Sequence, residues 1–357
     1  MDIDLLSIQP HQVSRDMRGY IVFFYGDPKS GKTTTASRFP NSLLLGFEKG
    51  YNALPGVMAQ PVNTWAEFKK VLKQLKKKEV QEKFSTIIID TCDIAYDLCE
   101  KYICQNAKRS DGGFGVDSIG DIGFGKGYTA LAKEFDECLR SIVQMNYGLV
   151  LISHSVDKTF TDENGQEFNK IVPTLQSKAR NIVNRMADII GYSRVVTNDD
   201  GSLSTKLFMR GTPRYDAGSR FKYTPDYIDF NYNALVNAIG EAVDKQAAED
   251  GSEYFTNAST KNLYEDTTHD LDFDKLLAEF NNMVNGLINS DEDKFNLYWA
   301  PRITQITDSY LGKGNTVNKC SRDQVEALDL IVADLKDLIS DQYRKAEWPP
   351  PSFFDFL

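Results

Sequence analysis

Gly26-Asp27-Pro28-Lys29-Ser30-Gly31-Lys32-Thr33 decides the reading of this 357-residue chain. It has the G-x-x-x-x-G-K-[ST] spacing of a phosphate-binding loop. Residues 20–25 before it are an unbroken apolar run and read as a buried strand. Residues 34–39 after it read as a helix stopped by Pro40. Strand, loop and helix are the setting this motif needs. The glycines let backbone N–H groups wrap a pyrophosphate, and the helix N-terminus adds partial positive charge. The cradle for ATP is expected to run from Gly26 through Thr34. Lys32 is expected to reach the outer phosphates, and the Thr33 hydroxyl to hold Mg²⁺.

The neighbouring strands extend the site. Residues 84–91 form a third apolar run with Asp90 at its end, the Walker B pattern. An aspartate there can hold the water shell of Mg²⁺. Residues 42–47 read as a strand followed by Glu48, residues 148–153 as a strand ending at His154, and residues 188–192 as a fifth. Residues 203–210 and 219–223 read as later strands. Helical patterns lie between them, at residues 64–78, after Thr91 through Cys104, and at 128–145 and 176–187. Four or five short parallel strands alternating with helices indicate a doubly wound, mostly parallel α/β sheet. Its ligand belongs at the C-terminal strand ends, where Glu48, Asp90 and His154 fall. Thr91 follows the Walker B aspartate where many P-loop ATPases carry a glutamate, so the base for water comes from elsewhere, and Glu48 is the candidate.

Composition narrows the class. No run of about 18 apolar residues exists, so no membrane span is expected. The N-terminus shows no signal-peptide pattern. Five cysteines without a close pair, and three histidines, argue against a zinc site or disulfide framework and for a reducing cytoplasm. The net charge of −10 is uneven. Residues 241–357 carry 11 Lys and Arg against 23 Asp and Glu, a net of −12; the first 240 hold the other 30 and 28, a net of +2. The acidity belongs to the C-terminal third and does not exclude nucleic acid as a partner of the first 240 residues.

Two polar stretches interrupt the strands. Residues 105–127 are rich in glycine, with Lys108, Arg109 and Lys126, but follow no strand and are no dinucleotide fingerprint. Residues 155–178 carry Lys158 and Lys170 and a hairpin turn at Asp162-Glu163-Asn164-Gly165. Residues 1–243 are expected to form the ATPase domain and 244–268 a polar linker. Residues 269–346 read as a helical domain with patterns at 271–287, 294–310 and 322–343. The tail, 347–357, combines Pro349-Pro350-Pro351 with Phe353, Phe354, Phe356 and Leu357. It reads as an extended docking peptide for a single-strand binding protein or other replication factor, or as aromatic residues folded back on the helices.

These pieces carry a resemblance. GDPKSGKTT (26–34), LLLGFEKGYNAL (43–54), IIIDT (87–91), GFGKGY (123–128), LVLISH (149–154) and AGSRFKYTP (217–225) make residues 8–240 similar to phage RecA-like P-loop ATP-binding proteins. That AAA-type nucleotide-binding group includes single-strand annealing recombinases. The resemblance implies a RecA-like core with Glu48 as catalytic base and His154, where glutamine is usual, as γ-phosphate sensor. It implies a homo-oligomer whose sites are completed by a neighbour's cation: Arg220 or Lys222, with Arg210 and Arg214 as second choices. It also implies binding of single-stranded DNA through residues 105–127 and 155–178. Three functions stay open: an ATP-dependent recombination or annealing protein, a helicase loader or other replication-accessory ATPase, and a nucleotide-binding regulatory switch.

Overall fold

The central strands are apolar on both faces, and this stacks the fold in layers. In residues 21–25, Ile21, Phe23 and Tyr25 enter one buried cluster while Val22 and Phe24 enter another. Ile87 and Ile89 divide from Ile88 in the same way, as do Leu149 and Leu151 from Val150. Period-2 alternation with both faces buried is the signature of a sheet covered by helices on each side. The computed structural model describes residues 6, 8, 10–109, 112–257 and 271–345. The chain divides into two compact units, Met1–Asp266 and Thr267–Leu357.

The first unit runs β1 (Val13–Ser14), β2 (Ile21–Gly26), α1 (Lys32–Ala36), β3 (Ser42–Gly46), β4 (Ala59–Pro61), α2 (Trp65–Leu75), α3 (Lys78–Lys83), β5 (Thr86–Asp90) and α4 (Cys92–Asn106). It continues with α5 (Lys126–Gln144), β6 (Gly148–Thr161), β7 (Glu167–Pro173), α6 (Ser177–Met186), β8 (Ile189–Thr197), β9 (Leu203–Phe208), β10 (Gly218–Ser219), β11 (Tyr227–Asp229), α7 (Tyr232–Asp250) and β12 (Phe255–Thr256). The order β4-β3-β5-β6-β2-β8 is parallel, and β9 and β11 close one edge antiparallel. One strand, β6, therefore separates the phosphate-loop strand from the Walker B strand. This is a P-loop NTPase fold. Its register brings the functional ends level: Gly46 pairs with Asp90, Asp90 with Ile152, and Gly26 with His154 and Ser193.

The structure departs from the sequence reading in several places. Six strands of the main sheet, not four or five, are parallel. The helix after the phosphate loop begins at Lys32 and ends at Ala36. Residues 155–178 are not one loop: β6 runs on through Thr161 and pairs with β7 in an antiparallel arm. Its turn does fall at residues 162–165, where Gly165 N–H bonds Asp162 O. Finally, residues 244–257 are not linker. The helix α7 continues to Asp250, burying Val243 in the core, and β12 pairs with β1 across more than 240 residues. Arg15 seals this closure through Asp244 and Asn257. The stretch 105–127 is loop only in part: α4 runs to Asn106 and α5 starts at Lys126. Among its described residues, Lys108 bridges to Phe114, and a short turn spans Ile119–Asp121.

In the second unit, α8 (Phe273–Ser290), α9 (Glu292–Lys294), α10 (Ala300–Leu311) and α11 (Val325–Lys345) build a separate core. Leu328, Ile331, Val332 and Leu335 of α11 meet Phe280, Leu287 and Trp299 there. The expected middle helix at 294–310 begins instead with a wide π turn, Phe295–Trp299, before α10. The tail at 347–357 lies outside the described residues.

Candidate functional site

The phosphate loop is built by close approach. A Cβ on Gly26 would lie 2.1 Å from the carbonyl oxygen of Ser193, so only glycine lets β2 turn there against β8. Gly31, at φ +87°, turns the chain into α1 as its N-cap. Ser30 Oγ and Ser193 Oγ lie 2.7 Å apart and tie the loop to the neighbouring strand. Lys32 is only 5% exposed, and its Nζ donates to Gly26 O (2.9 Å) and Asp27 O (2.6 Å). Burial lowers its pKa, while Asp90, Asp27 and Glu48 favour the charged form. An ammonium held at the loop by backbone carbonyls is positioned to exchange them for phosphate oxygens.

Asp90 ends β5 wholly buried. Its Oδ2 accepts the Thr33 hydroxyl at 2.8 Å, and its Oδ1 has no hydrogen-bond partner among the described residues. Burial raises its pKa to about 6, with Glu48 pushing up and the Thr33 bond and Lys32 pulling down. An orphaned carboxylate oxygen beside a hydroxyl fits Mg²⁺, which takes one or two protein oxygens and leaves its other positions to phosphates and water. Thr33 and Asp90 would hold the ion.

Glu48 is fixed to the same strand end. The N–H groups of Phe47 and Glu48 both donate to Asp90 O, at 2.7 and 3.1 Å. Its Oε2 lies 3.5 Å from His154 Nε2, and both side chains are about one-third exposed. A Cβ built on Gly50 would meet Glu48 Oε1 at 3.4 Å and both Asp90 Oδ2 and Thr33 Oγ1 at 3.8 Å. The predicted base, both predicted metal-holding groups and the predicted sensor thus converge on one spot at the strand ends.

Three residues that the sequence did not single out position this set. Asp93, in the first turn of α4, accepts Ser153 Oγ at 2.7 Å and His154 N at 3.1 Å. Ser155 Oγ donates to Asp27 Oδ1 at 3.1 Å, joining the root of the β6–β7 arm to the phosphate loop. Ser193 backs the loop from β8. Only Asp93 left a signal, an acid three residues beyond Asp90.

The predicted cations lie elsewhere. Residues 220–223 are not strand; β10 stops at Ser219. Arg220 pairs with Asp188 (3.2 Å), whose other oxygen accepts the N–H of Ile21. Ile21 begins β2, so Arg220 sits roughly 16 Å along the strand from the loop. Lys222 pairs with Glu249 on α7. Arg210 donates to the carbonyls of Thr224 and Lys222. Within one chain, none of the three joins the site.

Comparisons relate the chain to known proteins. The AAA domain family matches residues 18–221, more than half of the chain. The SPbeta prophage-derived uncharacterized protein YorG of Bacillus subtilis (strain 168) is 30% identical over 352 residues, covering 96% of this chain and all of the relative. The flagellar accessory protein FlaH of Methanocaldococcus jannaschii is similar over 62% of this chain and 86% of its own, at 14% identity and a TM-score of 0.29. Among the described residues, no helix is long and apolar enough to cross a membrane. With its phosphate loop, its Walker B aspartate and the match over residues 18–221, the chain belongs to the AAA domain family of P-loop proteins.

Proposed function

We propose that the chain is an ATPase acting on single-stranded DNA in phage recombination or strand annealing, as a homo-oligomer. The convergence of Lys32, Thr33, Asp90, Glu48 and His154 carries the ATPase reading. Lys32 and the loop N–H groups bind the phosphates. Mg²⁺, when bound, supplies Lewis-acid charge to them. Glu48 accepts a proton from the attacking water. His154, whose backbone N–H donates to Asp93 and whose Nε2 lies 3.5 Å from Glu48 Oε2, would sense the γ-phosphate.

The DNA half of the proposal is supported by the resemblance of residues 8–240 to phage recombination ATPases and by the prophage origin of YorG. The arm β6–β7 adds a structural reason. It grows from the sensor strand itself, so His154 and the arm share one backbone. The test is ATP hydrolysis by the purified protein with and without single-stranded oligonucleotide, together with annealing of complementary strands. Stimulated turnover with annealing is expected. Hydrolysis untouched by DNA would favour the replication-accessory reading, and binding without hydrolysis would favour the switch.

In the oligomer, Arg220 or Lys222 of a neighbouring copy completes the charge stabilisation. The distance of Arg220 from its own loop leaves a neighbour's site as the one it could serve, once it gives up its pair with Asp188. Arg220→Ala and Lys32→Ala are each expected to be inactive alone. Mixed together they are expected to recover part of the rate, because some sites then combine an intact loop with an intact arginine. No recovery at any mixing ratio would remove Arg220 from the site.

A further inference from the structure

A groove of about 850 Å³ lies between α5 and α6 and takes no part in the nucleotide site. Its walls are two helix faces at matching spacing. Thr129, Ala132, Lys133 and Asp136 come from α5, and Lys178, Asn181, Ile182 and Arg185 from α6, each set at steps of three, four and seven. Lys178 and Arg185 are therefore about 10 Å apart along the helix axis. The helix α6 carries Lys178, Arg180 and Arg185 and no acid. At one end of the groove the ammonium of Lys178 lies over the ring of Tyr128, 5.3 Å from its centroid, and that tyrosine is 41% exposed. At the other end Arg220 donates to the backbone carbonyl of Arg185, adding a further cation beside it.

Two further observations point to a polar guest. Asp136 and Asn184, both lining the groove, each bury a side-chain oxygen with no hydrogen-bond partner among the described residues. Buried acceptors normally have donors. Asp136 pairs with Arg140, which spends the negative charge of the groove, and Lys133 pairs with Glu137 at 3.6 Å. Arg220 is paired with Asp188, so among the described residues the rim cations outside an ion pair are Lys178 and Arg185.

We infer that this groove is a binding track for single-stranded DNA, separate from residues 105–127 and from the β6–β7 arm. A strand offers all three things the groove asks for. Its phosphates suit the cations, a base can stack on Tyr128, and the amino groups of exposed base edges can donate to Asp136 and Asn184. Duplex DNA hides those edges in its stack. This inference rests on the proposed DNA-dependent function but concerns where the strand lies.

The test is fluorescence anisotropy of labelled oligodeoxycytidylate against salt concentration, with wild-type protein and the triple variant Lys133→Glu, Lys178→Glu, Arg185→Glu. The milder triple alanine variant is measured beside it, to separate loss of charge from loss of fold. Both should keep the wild-type melting temperature and basal ATPase rate. Affinity is expected to fall at least about tenfold, and the slope of log affinity against log salt to shrink by about 2, from three lost phosphate contacts. Wild-type affinity and slope in both variants would overturn the groove while leaving the DNA-dependent function intact. An altered sedimentation coefficient with unchanged DNA affinity would also overturn it, marking the groove as a subunit interface. If wild-type protein binds no oligonucleotide, both the function and the track fall.

Discussion

Asp90→Asn is expected to abolish Mg²⁺-dependent ATP hydrolysis and, in the same protein, to raise the melting temperature of the nucleotide-free form. The two effects have one cause. Asp90 is wholly buried, one of its oxygens has no partner among the described residues, and burial raises its pKa from 3.8 to about 6. At neutral pH the folded protein therefore carries a charged carboxylate that its surroundings disfavour. A carboxyl with a raised folded pKa contributes its full stability below the unfolded pKa and loses it as pH rises through the folded value. The loss here falls between about pH 4 and pH 6 and is complete above that. A shift of roughly two units corresponds to about 3 kcal/mol at most. Asparagine keeps an acceptor for the Thr33 hydroxyl and removes the charge. Thermal melts in magnesium-free buffer should then show a gain of roughly 5 °C at pH 7.5, shrinking toward zero near pH 4. Hydrolysis should fall more than about 100-fold, since a neutral amide cannot replace the carboxylate on the ion. A variant less stable than wild type at neutral pH would mean that Asp90 is satisfied structurally and is not held in waiting for a cation.

The sequence showed the site's strand ends clearly because a sheet covered on both faces requires apolar runs. Residues 20–25, 42–47, 84–91 and 148–154 are such runs, and in three of them a polar group stands at or just beyond the C-terminal edge. Glu48, Asp90 and His154 could be found by that rule alone. The arm was hidden by the reverse condition. Beyond Ser155 both faces of β6 meet solvent, so polar and apolar residues no longer alternate with burial. A two-stranded ribbon of that kind looks like a loop. The junction of β1 with β12 was hidden because two residues at each end, separated by most of the unit, leave no periodic trace. Ser193 was hidden because its role comes from a contact made by a glycine on another strand. Arg220 falls in the expected strand 219–223, which the structure does not form beyond Ser219. Phe221 is buried against Tyr20, but through a bend rather than a ladder.

Glu48→Gln is expected to bind ATP with wild-type affinity and to hydrolyse it at least about 100-fold more slowly, the usual cost of losing a general base. Binding should survive because Glu48 reaches the site from β3, outside the loop that holds the phosphates, and because its backbone bond to Asp90 O does not depend on the side chain. The neutral isostere keeps the shape between His154 and Gly50 but cannot take a proton from water. Thr91 cannot take over: its hydroxyl is buried, has no hydrogen-bond partner among the described residues, and is no base at neutral pH. Asp90 cannot either, since its free oxygen is the one expected to face the cation. His154 remains the one nearby group with a suitable nitrogen, 3.5 Å from Glu48. Single-turnover hydrolysis by Glu48→Gln, His154→Gln and the double variant separates the two residues. If Glu48 is the base and His154 senses the γ-phosphate, the double variant should be about as slow as Glu48→Gln alone, because groups acting on one step are not additive. If the histidine is the base, Glu48→Gln should retain most of the wild-type rate and His154→Gln should carry the loss. Near-wild-type turnover in both single variants would move the proton acceptor out of this cluster altogether.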